Sequence, residues 1–202
     1  QISPQMQAVA EAEGLDPEVI RADVAAGLTV IPANPAHAGL VPAGIGRGLR
    51  VKVNANIGTS GAFPDPQREL PKLQAALEAG ADAVMDLSTG SSANMDEARR
   101  AVLARSPVPV GTVPIYQAAV EAIERHGAIV AMTADEMFEV IERHARDGVD
   151  FVTVHCGVTL AALETLRSTG RVTDVVSRGG AFLVAWMLHH GRENPLYEQY
   201  DR

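Results

Sequence analysis

The chain has 202 residues, 47% hydrophobic and 21% charged, which fits a folded protein with a sizeable buried core rather than a disordered chain. A formal charge of -8 and only 4% aromatics exclude binding to nucleic acid or an anionic membrane as its organising role, and no stretch approaches the roughly 20 apolar residues of a membrane span. A lone cysteine cannot form an intrachain disulfide, so the expected compartment is the cytoplasm. No signal-peptide pattern is present, and because the chain opens on Gln1 the native start is expected upstream.

Residues 1–48 read as a helical leader and loop. "SPQMQAVAEAEG" opens on Ser3 as N-cap with Pro4 at the first helical position, and "DPEVIRADVAAG" repeats this with Asp16 and Pro17; Gly14 and Gly27 close the two helices. "LTVIPANP" and "AGIGRGLR" are loop-rich. Gly44, Gly46 and Gly48 invite a phosphate-binding reading, but the dinucleotide fingerprint needs a strand before it and a helix after it, and neither is there.

From residue 49 to 202 the pattern becomes regular. Strand-like runs "LRVKVNANIG", "DAVMDLSTG", "VPVGTVPIY", "DFVTVHCG" and "TDVVSRGG" alternate with helical patterns such as "RELPKLQAALEAG", "NMDEARRAVLAR", "YQAAVEAIERHG" and "TADEMFEVIERHARDG". Asn94 with Glu97 and Thr133 with Glu136 have capping-box spacing. "EAGADAVMDL" and "RDGVDFVTVH" echo one another: each ends a helix on glycine, places an aspartate two residues later and enters an apolar strand. Alternation of this kind implies a parallel sheet covered on both faces. The unusual polar residues fall at strand C-terminal ends, which favours a (β/α)8 barrel of the TIM type over an open sheet, since barrel strand ends converge on one mouth. Five strands are expected where a closed barrel needs eight, so residues 49–202 are expected to form a partial barrel that a further segment or a partner completes.

Candidate site residues lie at those strand ends. His155 and Cys156 are adjacent on a strand and therefore point to opposite faces, which argues against a shared metal; His155 is expected at the mouth and Cys156 among the helices as a small buried hydrophobe. Asn54 and Asn56 share a face, either as internal amides fixing their own loops or, at Asn56, as a ligand contact. "SRGGAFLVAW" joins the Ser177 hydroxyl, the Arg178 fork and the backbone N-H groups of Gly179 and Gly180 to a helix N-terminus, a good cradle for a phosphate; a plain tight turn is the alternative. Met85 and Tyr116 read equally as site or core. His189 and His190 read as helix C-terminal caps, and His37, His126 and His144 as ordinary helix-end or loop residues.

The ordered set "VNANIGTS", "MDLSTG", "PVPVGTVPIYQA", "DFVTVHCGVT", "VSRGG" and "HHGRENPLYEQYD" resembles the phosphomethylpyrimidine synthase (ThiC) family of thiamine biosynthesis over the whole chain. The resemblance implies a radical S-adenosylmethionine lyase on a (β/α)8 barrel that rearranges 5-aminoimidazole ribotide to 4-amino-5-hydroxymethyl-2-methylpyrimidine phosphate. It also implies a 4Fe-4S cluster, S-adenosylmethionine, a divalent metal such as zinc, and a homodimer at full length. The family's ribotide contacts fall on Asn56, Met85, Tyr116, His155, Ser177, Arg178 and Gly179; no catalytic residue and no metal ligand is assigned in this chain. The family's "DGLR"-type loop, its glutamate, its two metal-binding histidines and its three-cysteine motif have no counterpart here, and Cys156 stands where many members have alanine. The chain is therefore expected to be inactive alone. A paralogous 5-hydroxybenzimidazole synthase of anaerobic cobalamin biosynthesis and a non-catalytic ribotide-binding half-barrel are the competing readings. An ordinary barrel isomerase or aldolase would need a lysine or carboxylate pair at the mouth, for which Asp86 is the one obvious candidate.

Overall fold

Four short parallel strands set the frame of the computed structural model, which describes residues 1–202. They are β3 (Asn54–Ile57), β4 (Ala83–Asp86), β5 (Val110–Thr112) and β6 (Phe151–Val152), side by side in chain order. Before them come α1 (Pro4–Glu13), α2 (Pro17–Ala25) and a small antiparallel pair, β1 (Thr29–Val30) with β2 (Ile45–Gly46). Between and after them come α3 (Glu69–Glu78), α4 (Ser92–Leu103), α5 (Pro114–His126), α6 (Ala134–Asp147), α7 (Leu160–Thr169), α8 (Arg178–His190) and α9 (Pro195–Glu198).

Local chemistry explains the helix ends. Ser3 and Asp16 cap α1 and α2 through their side-chain oxygens with proline at the first position, as expected. Thr133 and Glu136 form a reciprocal capping box at the start of α6. The spacing at Asn94 misleads: α4 is capped by Ser91, and the Asn94 amide donates instead to the Pro64 carbonyl at 2.8 Å. Gly46, far from cradling a phosphate, lies in β2 against Leu28 and Thr29, where a Cβ would collide with their atoms.

Each rung of the sheet shows which residues share a face. Asn56 sits opposite Met85, and Met85 opposite Gly111; on the alternate face Ile57 sits opposite Asp86, and Asp86 opposite Thr112. Ile57, Val84 and Val110 pack with Leu73 of α3 and Val102 and Leu103 of α4. Full burial of each such side chain contributes about 1.5–3 kcal/mol. A larger core joins Met85, Val113 and Ile115 to Ala118 and Ala122 of α5, Met137 and Val140 of α6, and Leu183, Trp186 and Met187 of α8.

Three expectations are corrected. The fifth strand, "TDVVSRGG", does not form: Asp174 has φ 53, which breaks an extended run, and Val172 and Val176 project into solvent. Residues 178–180 instead make the first turn of α8. Cover on both faces also holds only for β4 and β5, whose residues are all buried, and not for β3, where Asn54 and Asn56 are exposed and make no side-chain hydrogen bond. The run before them stays outside the ladder with Val51 and Val53 in solvent. Finally, β6 stops at Val152, so His155 lies in the connection to α7 rather than on a strand. No helix is long and apolar enough to cross a membrane.

Candidate active site

Ser177 ends the exposed 171–176 segment with extended backbone and becomes the N-cap of α8. Its Oγ accepts the Gly180 N-H at 3.2 Å and lies 2.8 Å from His155 Nε2. The helix can come this close because residue 179 has no side chain. A Cβ there would stand 2.7 Å from Ile115 Cγ2 and 2.8 Å from His155 Nδ1, and would overlap His155 Cε1. His155 is half-buried, its Nδ1 is fully buried with no partner, and burial lowers its pKa, so the neutral imidazole is favoured.

Arg178, first residue of α8, holds its guanidinium 5.1 Å from the centre of the Tyr116 ring. Tyr116 meets Phe182 edge to face, with centroids 6.3 Å apart. Tyr116 is not a strand-end residue as expected: Pro114 starts α5 two residues after β5, and Tyr116 sits in that helix's first turn. Met85 is buried in the core that also holds Ile115, and Asn56 is its exposed neighbour on β3.

The structure thus brings Tyr116, His155, Ser177, Arg178 and Gly179 to the N-terminus of α8, whereas Met85 and Asn56 are placed beside each other on the sheet. A cavity of about 370 Å³ between α7 and α8 reaches Ser177 and Gly180 but is lined mainly by apolar groups such as Leu163, Leu166 and Val176. A wider cleft of about 660 Å³ lies along α6 and the C-terminal residues, and none of the seven candidate residues lines it.

Cys156 packs against the core and borders that wider cleft, and burial pushes its thiol pKa up. A 4Fe-4S cluster needs several thiolates. With one cysteine in the chain, and no group of three or more His, Cys, Asp and Glu placed to hold a metal, the residues present do not fit the cluster or a metal site. Asp86, the candidate for ordinary acid-base chemistry, is buried on the alternate face of β4 with its oxygen taken by the Ser88 N-H, and burial raises its pKa.

Sequence reasoning missed Asn194. Fully buried, it donates from Nδ2 to the carbonyls of His155 at 2.8 Å and Val158 at 2.9 Å, fixing the loop that carries the imidazole. Its place before Pro195 repeats the cap grammar of Ser3 and Asp16 and was a readable signal. His37 in a loop and His144 in the last turn of α6 stand where they were expected, but both are buried and hydrogen-bonded rather than ordinary. His37 Nδ1 lies 2.7 Å from Asp150 Oδ2, with both side chains fully buried. His144 is buried between Thr112 and Gln117, in a network with Arg99, on the α6 face that Met137 and Val140 mark as apolar. His190 donates from Nε2 to the Val130 carbonyl oxygen, 2.7 Å away, rather than serving its own helix end.

Comparison with known proteins decides the family, because the Radical SAM ThiC family matches residues 1–202. The chain belongs to the radical SAM ThiC family. Among curated relatives of that family, phosphomethylpyrimidine synthase of Desulforamulus reducens is 59% identical over 202 residues, covering 100% of this chain and 46% of the relative. The Moorella thermoacetica protein of the same name is 61% identical over 202 residues, again 100% of this chain and 46% of the relative. A second Moorella thermoacetica protein, 5-hydroxybenzimidazole synthase BzaB, is 58% identical over 201 residues, 100% of this chain and 47% of the relative. The chain spans about half the length of these curated ThiC relatives.

Proposed function

We propose that these residues form the ribotide-binding half of a phosphomethylpyrimidine synthase of thiamine biosynthesis. Its substrate is 5-aminoimidazole ribotide, and Asn56, Met85, Tyr116, His155, Ser177, Arg178 and Gly179 hold it. The observation that carries this reading is the convergence of Tyr116, His155, Ser177 and Arg178 on the first turn of α8. The first N-H groups of a helix have no intrahelical acceptor and carry partial positive charge, and a guanidinium beside them adds a fork for phosphate oxygens. Tyr116, whose ring the guanidinium faces, keeps that fork at the helix start. Asn56 offers an unpaired amide on the open face of β3.

In this reading residues 1–48 are a leader, and residues 49–202 begin a (β/α)8 barrel whose remaining strands lie on polypeptide outside these residues. The same outside polypeptide supplies the thiolates of the 4Fe-4S cluster and the ligands of a divalent metal such as zinc. S-adenosylmethionine would be cleaved at that cluster, while the residues described here bind, orient and shield the ribotide. The full-length enzyme is a cytoplasmic homodimer that engages neither nucleic acid nor membrane.

The test is Arg178→Ala in the full-length protein. Loss of a charge-assisted contact worth about 1.5–3 kcal/mol weakens ribotide binding by about tenfold or more in calorimetric titration, while iron content and cluster absorbance stay at the wild-type level. Unchanged ribotide affinity removes the phosphate assignment. The 58% identity to the BzaB protein supports a second reading, production of 5-hydroxybenzimidazole from the same substrate. Mass analysis of the product formed by the full-length enzyme separates the two.

A further inference from the structure

Within the proposed ribotide site, two polar atoms stand in an unusual relation. A serine hydroxyl has one proton and two lone pairs. The Ser177 oxygen already accepts the Gly180 N-H, and the one other polar atom within hydrogen-bond reach of it is His155 Nε2, at 2.8 Å. The imidazole nitrogen is the one protein acceptor within reach of the proton of this exposed hydroxyl, and the pair can bond in either direction. When Nε2 accepts, the neutral ring carries its proton on Nδ1. Nδ1 is the buried atom that no protein group satisfies, so its partner has to come from a ligand or a water.

We propose that Ser177, besides its place in the ribotide site, is a positioning residue for His155: its hydroxyl donates to Nε2, fixing the imidazole as the Nδ1-H tautomer and leaving that N-H as the ring's uncommitted donor. Three contacts then hold the ring and its loop. Ser177 takes Nε2, the bare Cα of Gly179 and the Ile115 methyl take the ring edge, and Asn194 takes the His155 carbonyl. Because the same oxygen caps α8, the helix that presents Arg178 and the imidazole share one anchor. The ligand's anionic end and the end that meets His155 are thereby kept in register.

The proposal rests on the ribotide reading only for what the ring binds, and the experiment separates the two. Full-length protein labelled with 15N-histidine reports which imidazole nitrogen is protonated, with no ligand present. Wild type and Ser177→Thr, which keeps both the donor and the cap, show His155 protonated at Nδ1. Ser177→Asp keeps a cap but has no proton to give, and shifts the His155 proton to Nε2. Ser177→Ala yields mixed tautomers. In ribotide titrations Ser177→Ala and His155→Ala each weaken binding by about tenfold, and the double variant is no weaker than the poorer single one, as expected when one residue acts through the other. A His155 signature in wild type protonated at Nε2, one unchanged in Ser177→Asp, or affinity losses that multiply, overturns the proposal. If His155→Ala leaves ribotide affinity intact while the tautomers move as stated, the positioning role stands and the ribotide reading of His155 falls.

Discussion

Asp82 and Asp150 do the same job 68 positions apart: each accepts, at 2.8 Å, the backbone N-H at the entry of the neighbouring strand, Val53 before β3 for Asp82 and Val110 of β5 for Asp150. Each also meets a basic side chain from nearer the N-terminus, Arg50 at Asp82 and His37 at Asp150. The repeated glycine, spacer, aspartate pattern is thus a device for aligning parallel strands and for tying the N-terminal region to their base. The two positions differ in burial, since the His37 and Asp150 side chains are 0% exposed whereas the Arg50 side chain is 62% exposed. Asp150→Asn is therefore expected to cost about 2–4 kcal/mol, because an amide cannot replace both of the carboxylate oxygens that accept the Asn34 and Val110 N-H groups. Asp82→Asn is expected to cost about 1–2 kcal/mol, a solvated ion pair plus one hydrogen bond. Urea midpoints of the two variants check the order.

His144 makes stability depend on pH. Burial first, then the nearby charges of Arg99 and Arg143, lower its pKa to about 3 from an ordinary 6.5. The folded state then binds fewer protons than the unfolded chain between these values. Its contribution is fully present above pH 6.5 and is lost as pH falls toward about 3, at up to about 1.4 kcal/mol per pH unit. His144→Gln, which can still pair with Thr112 and Gln117, should flatten the change in urea midpoint between pH 6.5 and 5. An equally steep profile in that variant would assign the titration elsewhere.

Gly179→Ala places a methyl where His155 and Ile115 already lie, with Ile115 Cγ2 only 2.7 Å from the new carbon. Overpacking of this kind costs about 1–3 kcal/mol. The histidine ring must also move from Ser177, so ribotide affinity is expected to fall with stability. Gly180→Ala meets nothing nearer than 3.3 Å and should be milder on both counts.

Cys156 should be slow to react. Its thiol sits against the core with its pKa raised by burial, so labelling by a thiol reagent at neutral pH is expected to be at least about tenfold slower in the folded protein than in urea. Cys156→Ala should leave ribotide affinity at the wild-type value. Rapid native-state labelling would contradict the raised thiol pKa.

Asn194→Ala removes two donors from a fully buried position and leaves the carbonyls of His155 and Val158 without them. The expected cost is about 2–4 kcal/mol for two buried hydrogen bonds. Amide hydrogen exchange should quicken over residues 155–158 in particular; uniform loosening of the whole chain would place the role elsewhere.

Much of this molecule was legible along the chain because its information is local. Cap residues beside prolines, the Thr133–Glu136 box and the alternation of apolar strands with amphipathic helices depend on neighbours a few residues apart, and the structure has them where they read. The ordered motifs also carried the family, which no single residue could do. The fifth strand failed for a different reason. Val172, Val175 and Val176 have strand propensity, but a strand exists only if a neighbour accepts its hydrogen bonds, and none is supplied to residues 173–177.

By itself, then, the sequence determined the parallel α/β layout, the helix starts and a short roster of polar residues near the strand ends. Only the tertiary structure decided that Tyr116 belongs to a helix, that Asp86 turns away from the site, that His37 and His144 are buried, and that Ser177 reaches His155. Those outcomes depend on contacts between residues 20 to more than 100 positions apart, and such contacts are set by how helices and strands pack in space, not by the order in which side chains follow one another.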